Sequence, residues 1–322
     1  MHLSRRNFVA SALAAPVLVR FASLPALAKS DMPSGQVTPI YRTKAGDAVV
    51  TAVSDGYLEL DVSLLSNISP EDAAALLHQA FRGKPPVTTG VNAFVVQMAD
   101  RTALIDTGAA GAFPETGRLV DRLTAAGISP ETVDDVLLTH LHPDHVGGLA
   151  ANGQPNFPNA IVHVHRKERD YWTSEENKAA APDGAKGMFD LASAAMTAYG
   201  DRVKPFDGPG EVVPGIAARE LFGHTPGHCG YQIGEGEDGL LVWGDIVHVA
   251  PIQFPRPDVG ISFDSEPEKA IATRKALLDE VARNRTRIAG MHIAFPSLGH
   301  VVEGTGDQAY DFVPSAWQYD LG

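Results

Sequence analysis

Three histidines and an aspartate fall within six consecutive residues of this 322-residue chain, in Thr139-His140-Leu141-His142-Pro143-Asp144-His145-Val146-Gly147-Gly148. Imidazole nitrogens and carboxylate oxygens are ligands for divalent metals, and such a density of them in one stretch points to a metal site. In extended backbone, residues two apart point to the same side, so His140 and His142 can close on one ion. Pro143 suits the first position of a helix that carries Asp144 and His145 toward a second ion. Gly147 and Gly148 let the backbone crowd the cluster without side-chain clash. A second HxH pair, His163 and His165, lacks the acid and the third histidine and reads as structural.

The run His140 to His145 resembles the HxHxDH motif of the metallo-β-lactamase superfamily. Three further stretches match that family in order: Gly223-His224-Thr225-Pro226-Gly227-His228, with His224 as ligand; Leu240 to Asp245, with Asp245 as the bridging carboxylate; and Gly290-Met291-His292, with His292 as the last ligand and His300 as its rival. Ile105-Asp106-Thr107-Gly108 is similar to the family's first motif, where Asp106 orients a ligand rather than binding metal itself. The resemblance implies an α/β fold, the four-layer αβ/βα metallo-β-lactamase sandwich, with the site at one rim. It also implies two ions. His140, His142 and His224 would hold one, Asp144, His145 and His292 the other, and Asp245 would bridge them. A hydroxide shared by the ions and held by Asp144 and Asp245 would be the nucleophile. Zinc is the default for so many imidazoles, and the carboxylates also admit manganese, iron or cobalt.

Motif spacing, the twin-arginine start and the stretches Val53 to Gly56, Gly244 to His248 and Pro296 to His300 are most similar to the methyl parathion hydrolase branch. That branch implies hydrolysis of organophosphate triesters and a relationship to lactonases and arylesterases, so the expected partner is a small-molecule ester. By the same resemblance Phe113, Trp172 and Phe189 line a leaving-group pocket, with His248 and Ile261 near its wall. Taken singly, Phe113 and Phe189 suit a core better than a pocket, whereas Trp172 lies on the expected roof. The alternatives are a glutathione thioesterase, for which no cluster of basic residues is evident, and a β-lactamase, which a bridging Asp245 disfavours. A non-heme iron oxygenase shares the ligand set, and a catalytically decayed binding module would not need all seven ligands.

Composition sets the context. The chain is 44% hydrophobic and 20% charged, as in soluble globular proteins. Its net charge is −13. Of its 26 basic residues three arginines lie in the first 28 positions, which contain no acids, leaving 23 against 39 acids beyond them. Such a surface repels phosphate backbones, so nucleic acid is not an expected partner. The single Cys229 excludes an internal disulfide framework and reads as a small packed residue. Ser4-Arg5-Arg6-Asn7-Phe8, a short apolar run and Ala26-Leu27-Ala28 read as a twin-arginine export signal over residues 1–28, cleaved after Ala28. The run is too short and broken for a membrane span, and the twin-arginine machinery would deliver the protein to the periplasm.

The elements that must position the ligands follow in order. Residues 29–46 read as a flexible leader and 47–322 as one hydrolase domain. Strands are expected at 48–53 and 57–62 around an Asp55-Gly56 turn, then a helix capped by Ser69 with Pro70 at its first position. A hairpin at 91–98 and 102–105 leads to Asp106, and a buried strand at 136–139 delivers His140. Helices at 166–173 and 188–199, separated by a loop at 181–185, would roof a pocket. Strands are expected over 211–222, 231–233 and 240–243, then a helix over 267–282. The aromatic tail from Tyr310 to Tyr319 would cover a sheet edge or meet the second subunit of a homodimer.

Overall fold

Two sheets of seven strands each carry the chain, and in both the strands lie in sequence order. The computed structural model describes residue 32 and residues 35–321. The expected export signal at 1–28 lies outside them. The first sheet comprises β1 (Ile40–Ala45), β2 (Ala48–Leu60), β3 (Val87–Gln97), β4 (Thr102–Ile105), β5 (Asp135–Leu137), β6 (Ile161–His165) and β7 (Val203–Phe206). The second comprises β8 (Gly210–Val213), β9 (Ile216–Glu220), β10 (Cys229–Ile233), β11 (Leu240–Val242), β12 (Arg287–Ala289), β13 (Leu298–Glu303) and β14 (Tyr310–Pro314). Pairing is antiparallel from β1 to β4 and parallel from β4 to β7; in the second sheet only β11 and β12 are parallel.

Alternation along the strands sorts residues to two faces. Val50, Phe94, Ile105 and Leu137 from the first sheet meet Ile216, Tyr231, Val242 and Ala289 from the second in one buried cluster, so the sheets stack face to face. On the outer face of the first sheet pack α2 (Leu119–Ala125), α4 (Arg166–Trp172) and α6 (Asp183–Tyr199) through Leu119, Leu123, Trp172, Phe189 and Met196. On the outer face of the second, α7 (Pro267–Asn284) buries Leu277, Leu278 and Val281 against Leu241, Ile288 and Val301. The result is the expected αβ/βα sandwich. A further helix, α1 (Pro70–Gln79), is capped by Ser69 as expected, its hydroxyl accepting from Asp72 N–H at 3.0 Å. Among the described residues no helix is long and apolar enough to cross a membrane.

Several expectations are corrected. Asp55-Gly56 is no hairpin turn: β2 runs unbroken through it with a bulge between Ser54 and Gly56. Buried Asp55 accepts from the amides of Ala109, Gly117 and Leu119, which makes it the anchor of a facing loop. The leader ends earlier than 46, because residues 40–45 pair with β2 as an edge strand and bury Tyr41, Thr43 and Ala45. Residues 175–180 form an unanticipated helix, α5 (Glu175–Ala180), and α6 starts at Asp183 rather than 188. The expected strand over 211–222 is a hairpin of two, β8 and β9. The tail supplies edge strand β14, and Trp317 packs on Tyr41 with ring centroids 4.6 Å apart.

Candidate metal centre

The ligand loops leave the strands at one rim. His140 follows β5 and Asp245 follows β11, each three residues beyond a parallel strand, and His292 follows β12 in the same way. His224 sits in the connection from β9 to β10. The short helix α3 (Pro143–Val146) starts at Pro143, as expected, and carries Asp144 and His145. A Cβ on Gly148 would lie 1.9 Å from the Thr107 carbonyl oxygen, so only glycine allows this loop to pack there. Gly244 has φ +64°, and a Cβ on it would meet His228 Nε2 at 2.3 Å; its absence brings Asp245 against the histidines.

All seven expected ligands converge. His140 Nε2 lies 3.1 Å from His142 Nδ1, which lies 3.0 Å from His224 Nε2. Asp245 Oδ2 is 3.6 Å from His140 Nε2 and 3.3 Å from His224 Nε2. The same oxygen is 3.3 Å from His145 Nε2 and 3.1 Å from His292 Nε2, and Asp144 Oδ2 is 3.5 and 3.3 Å from those two nitrogens. One carboxylate oxygen is thus common to both groups. Such separations match the edges of coordination polyhedra with bonds of about 2.0–2.2 Å. His300 lies in β13 opposite Arg287 and belongs to neither group.

The hydrogen bonds behind the ligands show what must lie between them. Thr139 Oγ1 donates to Asp106 Oδ2 and therefore accepts from His140 Nδ1 at 3.0 Å. His145 Nδ1 donates to Asp106 at 2.7 Å, His224 Nδ1 to Asp264 at 2.8 Å, and His292 Nδ1 to the Gly90 carbonyl at 2.7 Å. Each of these rings consequently turns a bare lone pair inward. Lone pairs converging in a buried space repel unless a cation lies among them, and His145 Nε2 and Asp245 Oδ1 have no hydrogen-bond partner among the described residues. The donor set fits two divalent ions.

Protonation follows the same logic. Burial, with neighbouring imidazoles, pushes His140 and His142 well below the usual histidine range. Burial also opposes charge on His224, but Asp245 and Asp264 outweigh it and lift that ring to about 9. His145 is raised well above its usual value against burial by Asp245, Asp144 and Asp106. Where no cation lies among the ligands, the carboxylates therefore favour a proton on His145 and His224 in its place. Despite burial, the surrounding imidazoles hold Asp245 well below the usual carboxylate range.

A cavity of about 1000 Å³ opens over this cluster. Phe113, Trp172, Phe189 and His248, all expected there, line it together with His142, Asp144, Asp245 and His292. Ile261 does not: it pairs with Leu65 and is buried beside Leu60, Leu77 and Val87, while its neighbours Ser262 and Phe263 face the cavity. His248 Nε2 is 3.2 Å from Asp245 Oδ2, and neither of its buried ring nitrogens has a hydrogen-bond partner. His163 and His165 are structural, bonded to Asp135 and Glu220. Cys229 is buried, and its thiol donates to the Gly227 carbonyl.

Three residues escaped the sequence reading. Asp264 orients His224, and His228 accepts the Asp245 N–H at its Nε2 while its Nδ1 donates to the Leu221 carbonyl. Glu168, wholly buried, binds four donors around the site. His228 stood in a matched motif, whereas nothing local distinguishes an acid in a helix or in Ser262-Phe263-Asp264-Ser265.

Residues 87–292 match the family model of the metallo-beta-lactamase superfamily. The structure of AbOPH, described as a hydrolase in the beta lactamase superfamily, aligns with a TM-score of 0.83 at 34% identity, covering 88% of this chain and 100% of its own. AidC, a dizinc quorum-quenching lactonase solved in complex with a product, N-hexnoyl-L-homoserine, aligns at 0.82 and 25% identity over 88% of this chain and 100% of its own. An N-acyl homoserine lactonase from Bacillus sp is 27% identical over 171 residues, 53% of this chain and 60% of the relative, so the chain spans less than two thirds of that lactonase.

Proposed function

Because this chain belongs to the metallo-β-lactamase superfamily, we propose that it is a binuclear metal-dependent hydrolase of neutral lactones and esters bearing an apolar acyl or aryl group. The observation that carries this reading is the cavity wall. Leu58, Leu60, Phe113, Tyr171, Trp172, Met188, Phe189 and Phe263 face it, and among the described residues no lysine or arginine does. Its charged lining is acidic, with Glu59 and Glu115 beside Asp144, Asp245 and Asp264. A carboxylate- or phosphate-bearing substrate would find no cation from the protein to pair with, whereas a neutral ester would lose little on entering. The similarity to lactonases supports the lactone class.

Two bound divalent cations, zinc by ligand type, supply Lewis acidity and an activated water. The chain's own residues do the rest. Asp106, Thr139, Asp264 and the Gly90 carbonyl fix the tautomers of the imidazoles. Asp144 lies on the cavity floor, where its carboxylate can hold the proton released as water attacks and pass it to the leaving oxygen. The aromatic wall excludes bulk water and seats the acyl or aryl group.

A second reading, hydrolysis of neutral aryl organophosphate triesters, is favoured by Phe113, Trp172 and Phe189 on one cavity, since a triester is also uncharged and its aryl group would lie against these rings. The twin-arginine start supports export to the periplasm after metal loading, which fractionation of expressing cells would test. The deciding experiment is to reconstitute the purified protein with zinc and assay N-acyl lactones, aryl esters, aryl phosphotriesters, a glutathione thioester and a β-lactam. Chelator-sensitive turnover of the neutral substrates is expected. Turnover of the anionic thioester or β-lactam alone would overturn the proposal, and inertness toward every substrate would favour a decayed binding module.

A further inference from the structure

Glu168 lies outside the ligand set and outside the cavity wall, yet it touches the backbone or side chain of both. It is 0% exposed. Its Oε1 accepts from Leu141 N–H at 3.0 Å and Trp172 Nε1–H at 2.7 Å; its Oε2 accepts from Thr225 Oγ1–H at 2.7 Å and Gly227 N–H at 2.8 Å. Leu141 is the residue between His140 and His142. Thr225 and Gly227 follow His224 in the loop from the other sheet. Trp172 is a cavity-lining residue one helical turn beyond Glu168 and stands edge-on to the His142 ring, with centroids 5.3 Å apart. Gly227 admits the helix so closely that a Cβ there would lie 2.3 Å from Glu168 N.

A buried carboxylate is costly unless its lone pairs are filled, and four donors fill this one. Glu168 is also the point where the two halves of the first ion's ligand set meet: His140 and His142 come from one sheet, His224 from the other. We propose that Glu168 is a positioning residue that locks these two loops and the Trp172 wall into one unit, so that the geometry of the first ion and the seat of the substrate's apolar group are set together. This rests on the binuclear ester-hydrolase reading above. The second ion, held by Asp144, His145 and His292, touches none of the four donors and is outside the lock.

The test is titration of the apo protein with Co(II) or Zn(II) alone, read by metal-centre absorption and by tryptophan emission. In the unaltered protein the first ion should change the emission of Trp172, and W172F should remove that response. E168Q sets an amide N–H against donors that need an acceptor. It should weaken the first ion about 10-fold, the usual lower bound for losing a partner behind a ligand. It should also abolish the Trp172 response, raise KM for an N-acyl lactone, and leave the second ion's affinity unchanged. T225V, which deletes one donor and keeps the others, should show the same pattern to a smaller degree and serves if E168Q does not fold. If both variants bind the first ion as tightly as the parent, or weaken both ions equally, Glu168 is not such a lock. The binding readouts need no turnover, so failure of the ester-hydrolase reading would be seen separately, in the substrate assays.

Discussion

The two sheets contribute to the site in different ways. The first delivers four ligands from the six residues His140 to His145, on one loop and one short helix after β5. The second delivers three, His224, Asp245 and His292, from three separate loops. The contiguous cluster is held by its own half: Thr139 and Asp106 order His140 and His145. The scattered ligands depend on longer reach. His292 is oriented by the Gly90 carbonyl of the first sheet, His224 by Asp264, and Asp245 by the ring of His228. Bonds across the halves close the rim, with Cys229 N–H donating to the Thr139 carbonyl and the Tyr231 hydroxyl to that of Leu138. A metal site can therefore be concentrated in sequence on one side and assembled purely by packing on the other.

The largest effect should come from breaking the concentrated side. His142→Ala removes a ligand from the first ion, and both hydrolysis and metal content should collapse; unchanged turnover would remove His142 from the site. Next come the orienting carboxylates, which separate the halves. Asp106→Asn should weaken the second ion through His145 by about 10–100-fold and, through Thr139 and His140, the first by less, whereas Asp264→Asn should weaken the first through His224 by about 10–100-fold and leave the second. Competition with a chromogenic chelator would read both. If each variant weakens both ions alike, the division of labour is wrong. Trp172→Ala should raise KM for acyl or aryl substrates while metal content stays near two ions per chain. Loss of metal in place of the KM change would make Trp172 scaffold rather than wall.

The smallest effect concerns stability away from the site. Burial alone would raise Asp135, but bonds from His163 and Arg101 outweigh it and hold the carboxyl below its ordinary 3.8. A depressed folded value means that the unfolded chain binds the proton first as pH falls. The stabilisation is full above the ordinary carboxylate range and is lost as pH drops through the lower folded value. Asp135→Asn should flatten that acid limb in denaturant melts of the metal-free protein. An unchanged limb would show that the His163–Asp135–Arg101 chain does not contribute.

Much of the site was legible because ligand chemistry is intolerant of substitution: His140 to His145, His224, Asp245 and His292 stood in motifs, and all seven meet. Asp106 was identified as an orienting group from its own motif, and the structure gives its partners as His145 and Thr139. Glu168 and Asp264 were not legible, since a carboxylate's partner is chosen by packing and neither has a sequence pattern. Ile261 was placed near the wall by resemblance alone, and packing turns it into the cluster of Leu60, Leu77 and Val87 while the next two residues face the cavity. The Asp55-Gly56 turn failed because the turn signal is local, whereas three amides from another loop claim the carboxylate.

The sequence by itself determined which side chains could hold metal, which stretches alternate as strands, and that the chain is acidic, with 39 carboxylates against 26 lysines and arginines. Those properties reside in residue type and short spacing. Only the tertiary structure decided that a single oxygen of Asp245 faces both ligand groups, that no lysine or arginine among the described residues lines the cavity beside it, and that Glu168 bonds Trp172 in its wall together with Leu141, Thr225 and Gly227. These are relations between residues tens of positions apart, set by two sheets packing face to face, and no local pattern encodes them.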